Sequence, residues 1–206
     1  NLPIAFRVVV DGRDQGANTP QFVYDAGAKY ALENAKYPDR KTPMPQDPIF
    51  QQYYEKFVQA FAEEFNDPDR TAFIDGYGLG KWGEGHSVAY DENDVSAVDE
   101  NTETVKREVL DWITKLYAKY FTKVPLVINY HRVIGHPTSE GEANPNSESL
   151  IALAVSNGYC LRHDAFGMNN SGWGYSTWEK ALAAQWRFKV PIIMEGGYIV
   201  SSHSYW

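Results

Sequence analysis

The chain has 206 residues, 22% of them charged and 43% apolar, with a formal net charge of -8. That length and balance describe one folded domain with a sizeable core and exclude a disordered chain. The acidic excess withholds the electrostatic attraction on which nucleic-acid binding depends, the apolar runs are too short to cross a bilayer, and the single cysteine, Cys160, excludes an internal disulfide framework.

The chain opens at Asn1, without methionine, directly before a strand-like run, which is the form of a processed or excised piece. IAFRVVV (Ile4–Val10) predicts the first strand. A long loop, Asp11–Asp47, follows, with no glycine-rich phosphate cradle of the Rossmann kind. Asp47 and Pro48 form an N-cap with proline in the first turn, opening a helix with Phe50, Tyr53, Phe57 and Phe61 on its apolar face. AFIDGY (Ala72–Tyr77) is the second strand, trailed by the loop Gly78–Glu100. The acidic stretch DENDVSAVDE in that loop lacks the central glycine of a calcium loop and reads as solvated.

A second helix is predicted over about Thr102–Phe121, with Val105, Val109, Trp112, Ile113 and Leu116 as its buried stripe. LVINYH (Leu126–His131) is the third strand, and His131–Asn146 another long loop. A helix over about Ser147–Val155 stops at Asn157-Gly158. YCLRH (Tyr159–His163) is the fourth strand, with Cys160 as a small strand residue. The capping-box pattern Ser176–Glu179 opens a last helix to about Phe188, before the fifth strand, VPIIME (Val190–Glu195).

Near-continuous apolar strands alternating with helices predict an α/β protein with a parallel sheet covered on both faces. Long loops after the strands and short ones before them favour a β/α barrel over a doubly wound sheet. Five strands are fewer than eight, so the expectation is an incomplete TIM (β/α)8-like barrel, a single partial catalytic domain over 1–206. An open barrel would expose two edges, which implies that the remaining strands come from another chain or segment.

The chemistry-bearing residues gather at the predicted strand ends, where a β/α barrel places its site. Glu84, in FIDGYGLGKWGEGH, and Glu195, in VPIIMEGG, each follow an apolar run. Two facing carboxyls are the minimal equipment for glycosidic cleavage. Arg7 lies inside an apolar strand and demands a carboxylate partner. Trp82 and His86 flank Glu84; Asn129, Tyr130 and His131 end the third strand; His163 and Asp164 end the fourth. Tyr77, Tyr198 and Trp206 belong to a set of aromatics in Gly- and Asn-rich stretches, suited to stacking on sugar rings. The five histidines lack HExxH spacing, and His131, His163 and Asp164 are the nearest approach to a metal set.

These residues resemble glycoside hydrolase clan A, the retaining β/α-barrel glycosidases, and the stretch IAFRVVV…TPQFV with FIDGYGLGKWGEGH resembles bacterial glycoside hydrolases. The resemblance makes IAFRVVV barrel strand three and PIIME strand seven. It implies Glu84 as acid/base and Glu195 as nucleophile in a retaining double displacement, with no cofactor and no metal. Gly83 stands where the clan commonly has asparagine. The implied substrate is a poly- or oligosaccharide, and its breakdown implies a secreted or periplasmic location. The competing readings are a non-catalytic carbohydrate-binding barrel and a metal-dependent barrel hydrolase.

Overall fold

The computed structural model of the chain describes residues 2–11, 16–32, 39–85, 88–90, 100–129, 147–163 and 185–194. Along the chain come β1 (Ile4–Arg7), α1 (Gln21–Asp25), β2 (Tyr30–Leu32), β3 (Lys41–Pro43), α2 (Pro48–Phe65) and β4 (Thr71–Asp75). Then follow α3 (Glu100–Tyr120), β5 (Leu126–Asn129), α4 (Ser147–Ser156), β6 (Cys160–His163) and β7 (Ile192–Met194). Residues 185–188, at the end of the predicted last helix, are helical; its proposed start lies outside the described residues.

Among the described residues five strands make one sheet in the order β1-β4-β5-β6-β7, parallel at every pairing, while β2 and β3 form a separate antiparallel pair. Sheet order is therefore chain order. With crossovers of one hand, a sheet that never reverses direction keeps its connecting helices on one face; a doubly wound sheet reverses and covers both. In agreement, α2 packs on α3 and α3 on α4. Their buried residues join Ile74, Leu126, Ile128 and Leu161 of the sheet in one apolar cluster.

Strand alternation then divides the sheet. Phe6, Ile74, Leu126, Ile128 and Leu161 share the helix-covered face, and Phe6 meets the rings of Phe61 and Phe65 there. The register pairs Arg7 with Asp75, Asp75 with Val127, and Asn129 with Arg162, so these residues share the other face. The predicted strands, apolar on both faces, are thus corrected: the C-terminal ends of one face are polar.

Two strands also stop short of their predicted ends, β1 at Arg7 instead of Val10 and β4 at Asp75 instead of Tyr77. Beyond them the two segments leave the ladder and run side by side, with the Val10 N–H donating to the Gly78 carbonyl at 3.3 Å. Gly78 has φ +67, and a Cβ there would collide with the Val8 carbonyl oxygen, so only glycine permits this close approach.

Asp47 caps α2 as predicted, its carboxylate accepting from the Ile49 and Phe50 amides at 2.9 Å each. The buried line of α2 is Phe50, Tyr54, Val58 and Ala62, rotated by one residue, about 100°, from the predicted one. Small Val58 and Ala62 let the helix approach its neighbours. The larger rings flank the seam: Phe61 is partly buried against Phe121, and Phe57 is 40% exposed. In α3 the buried residues include Val109, Leu110, Ile113, Leu116 and Tyr117, with Val105 and Trp112 partly buried beside them. The predicted loop Asp11–Asp47 holds α1 and the β2–β3 pair; Lys41 lies over the Tyr24 and Tyr30 rings, 5.0 and 4.6 Å from their centroids. Three-residue strands are too short to show a period.

Candidate active site

The turn that follows β4 carries Glu84 back over the polar face of the sheet. The turn closes through three amides: Gly83 N–H to the Gly80 carbonyl (3.0 Å), Glu84 N–H to that of Lys81 (3.1 Å), and Gly85 N–H to that of Leu79 (2.9 Å). Trp82 takes φ +58, a left-handed conformation uncommon for any residue with a side chain, and its indole is left 45% exposed. Gly83, φ +73, packs on the stem of Arg7: a Cβ here would come within 2.9 Å of Arg7 Cδ and 3.2 Å of Val9 Cγ2. Glycine at 83, where the resembled clan has asparagine, is what brings Glu84 and Arg7 together.

Arg7 is the hub. Its Nε donates to Asp75 Oδ2 at 2.9 Å and its Nη2 lies 2.8 Å from the same oxygen. Its Nη1 donates to Glu84 Oε1 at 3.1 Å and to the Trp82 carbonyl at 3.3 Å. Arg162, on β6, reaches back across β5 and donates from Nη1 to Asp75 Oδ2 at 2.6 Å. The Asp75 side chain is 2% exposed, so its charge is kept out of water and compensated by two guanidiniums, the condition under which a buried carboxylate is tolerated. Glu84 keeps partial contact with solvent, at 22%.

Asp75 is held from behind as well. The next residue, Gly76, donates its N–H to the Val127 carbonyl at 3.1 Å and accepts from the Tyr159 hydroxyl at 2.8 Å. Tyr54 and Tyr117 share a hydroxyl contact of 2.8 Å in the same buried layer. Burial pushes the phenols of Tyr54, Tyr117 and Tyr159 well above their ordinary range, so all three stay neutral. Tyr77 is equally buried, in the helix-side core, which removes it from the set of sugar-stacking aromatics.

The structure thus brings Arg7, Trp82 and Glu84 of the expected site residues into one group. Asn129, buried at 3%, ends β5 beside Arg162 on the same face. His163 ends β6, with its side chain outside the described residues. Glu195, His86, Tyr130, His131, Asp164, Tyr198 and Trp206 also lie outside them, and with them the Glu84–Glu195 separation. Among the described residues no group of three His, Cys, Asp or Glu is placed to hold a metal ion. Cys160 sits half-buried in β6, and burial pushes its thiol up, away from the reactive thiolate.

Two members of the group escape the sequence reading: Asp75 and Arg162. Each is a charge within an apolar strand, the same signal that singles out Arg7.

No protein-family model matches the chain. No curated protein matches it either. Among solved structures it is similar to the native form of CbXyn10B, a family 10 xylanase, at 10% identity and a TM-score of 0.34. That likeness covers 94% of this chain and 65% of the xylanase chain. A likeness of this strength leaves activity to be read from the chain's own residues.

Proposed function

We propose that the chain is a retaining glycoside hydrolase on a β/α-barrel scaffold, with Glu84 as acid/base and Glu195 as nucleophile. The observation that supports this most is the Arg7-braced Glu84, in partial contact with solvent beyond the C-terminal end of β4, over the polar face of a sheet wound in chain order. A sheet of that winding, with helices along one face, fits five successive units of a β/α barrel whose other face is the interior. Glu195 directly follows Met194, the last residue of β7, which is the strand-end position the mechanism needs for its second carboxyl.

In this mechanism Glu84 protonates the glycosidic oxygen while Glu195 attacks the anomeric carbon, forming a glycosyl ester. Glu84 then takes a proton from water, which releases the sugar with its configuration retained. The substrate is a poly- or oligosaccharide. The exposed Trp82 indole beside Glu84 is suited to stacking on a ring at the leaving-group side.

A panel of aryl glycosides tests the reading. Glu84→Gln is expected to slow release of a poor leaving group by about 10²–10⁴-fold and of an activated one far less. Glu195→Gln is expected to abolish turnover of both, and a 2-fluoro glycoside to label Glu195 in a peptide map. Saccharide binding without hydrolysis of any substrate in the wild-type protein would replace the enzyme by a carbohydrate-binding barrel.

A further inference from the structure

We propose that Asp75 is the positioning residue of this site: it anchors the Arg7 guanidinium so that Arg7 braces Glu84 without locking it as a carboxylate. The inference rests on the acid/base reading of Glu84. An acid/base glutamate must give up and regain a proton near neutral pH. A guanidinium 3.1 Å from its oxygen favours the ionised form, and acting alone would disable the acid.

Arg7 does not act alone. Nε and Nη2 both reach Asp75 Oδ2, and Nη1 turns to Glu84, shared there with the Trp82 carbonyl. Among the described residues Arg7 from β1 touches Glu84, Asp75 from β4 stands behind that guanidinium, Arg162 from β6 stands behind Asp75, and Lys81 precedes Glu84 by three residues in the same turn. Three ion pairs link these residues in a row: Arg162 to Asp75, Asp75 to Arg7, and Arg7 to Glu84. Asp75 thus offsets the cation that touches Glu84, and Arg162 pairs with Asp75 from the other side. The geometry of the brace is fixed by Gly83 against the Arg7 stem, and its charge by Asp75.

The test is a direct titration of the Glu84 carboxyl, which needs no substrate. The protein is labelled with carboxyl-13C glutamate, and the Glu84 resonance is identified by its loss in Glu84→Gln. Asp75→Asn takes an anion away from the Arg7 guanidinium that touches Glu84, and the Glu84 midpoint is expected to fall by about one pH unit or more. In Arg7→Met the cation is gone, and the midpoint is expected to rise by a similar amount. A residue with a merely structural role would not displace the titration in opposite directions. Where the wild-type protein hydrolyses a glycoside, the alkaline limb of its kcat/KM profile follows the same two directions. An inactive wild type overturns the glycosidase reading, while the titration still decides the role of Asp75. Midpoints that stay put, or move the same way in both variants, overturn the positioning role. Should Asp75→Asn fail to fold, Arg162→Met replaces it. Removing the second cation frees more of the Asp75 charge to act on Arg7, so a rise smaller than that of Arg7→Met is expected, and no rise overturns the proposal.

Discussion

Gly83 shows how much of this site depends on a missing side chain. Its φ of +73 is left-handed, and the space a Cβ would need is filled by the Arg7 stem and Val9. Gly83→Ala is therefore expected to cost about 1–2 kcal/mol from backbone strain alone, with more from the displaced arginine, read as a lower midpoint in urea unfolding at unchanged slope. The same variant is expected to weaken the Arg7–Glu84 contact and lower any glycosidase activity. Charges were the part of the site most legible in the sequence, since a charge inside an apolar strand must find a partner. That logic reaches Arg7, and reaches Asp75 and Arg162 equally well once applied to every strand. The partners themselves were not legible, because Arg162 meets Asp75 from 87 residues away and across an intervening strand.

Among the elements, α2 has the clearest start. The Asp47 carboxylate satisfies two amides that the helix itself leaves open. Asp47→Ala is expected to destabilise the protein by about 1 kcal/mol, and Asp47→Ser or Asp47→Asn by much less; thermal unfolding of the three variants checks the order. At the other end of its scale, α4 stops as expected where Gly158 takes φ +94. Caps are local and so can be read from a few residues. The face a helix buries is not: α2 offers two lines of apolar residues one position apart, and contact with α3 and β1 chooses the one with the small residues. The β2–β3 pair inside the first long loop left no signal at all, its strands being three residues each.

For the whole molecule, parallel α/β architecture follows from the alternation of apolar runs and helical periods, and the five predicted strands all occur, shortened at their ends. Their sheet order required the structure. The molecule's response to alkali follows from the buried tyrosines. The phenols of Tyr54, Tyr117 and Tyr159 are raised in the folded chain by burial and return to about 10 when it unfolds. Their stabilising contribution is thus complete below pH about 10 and is lost as pH rises beyond it toward the folded values. Stability is expected to fall steeply above about pH 10, with tyrosinate absorbance appearing together with loss of far-UV dichroism. Gradual ionisation of all fourteen tyrosines in a chain that stays folded would contradict this. The coincidence of chain order and sheet order has a consequence for synthesis. A chain leaving the ribosome N-terminus first meets, with each new βα unit, an edge already completed by the unit before it. Among the described strands none has to wait unpaired for a later one to be slotted in between, as the reversal of a doubly wound sheet demands. The growing end is always the open end, and assembly advances in the direction of translation.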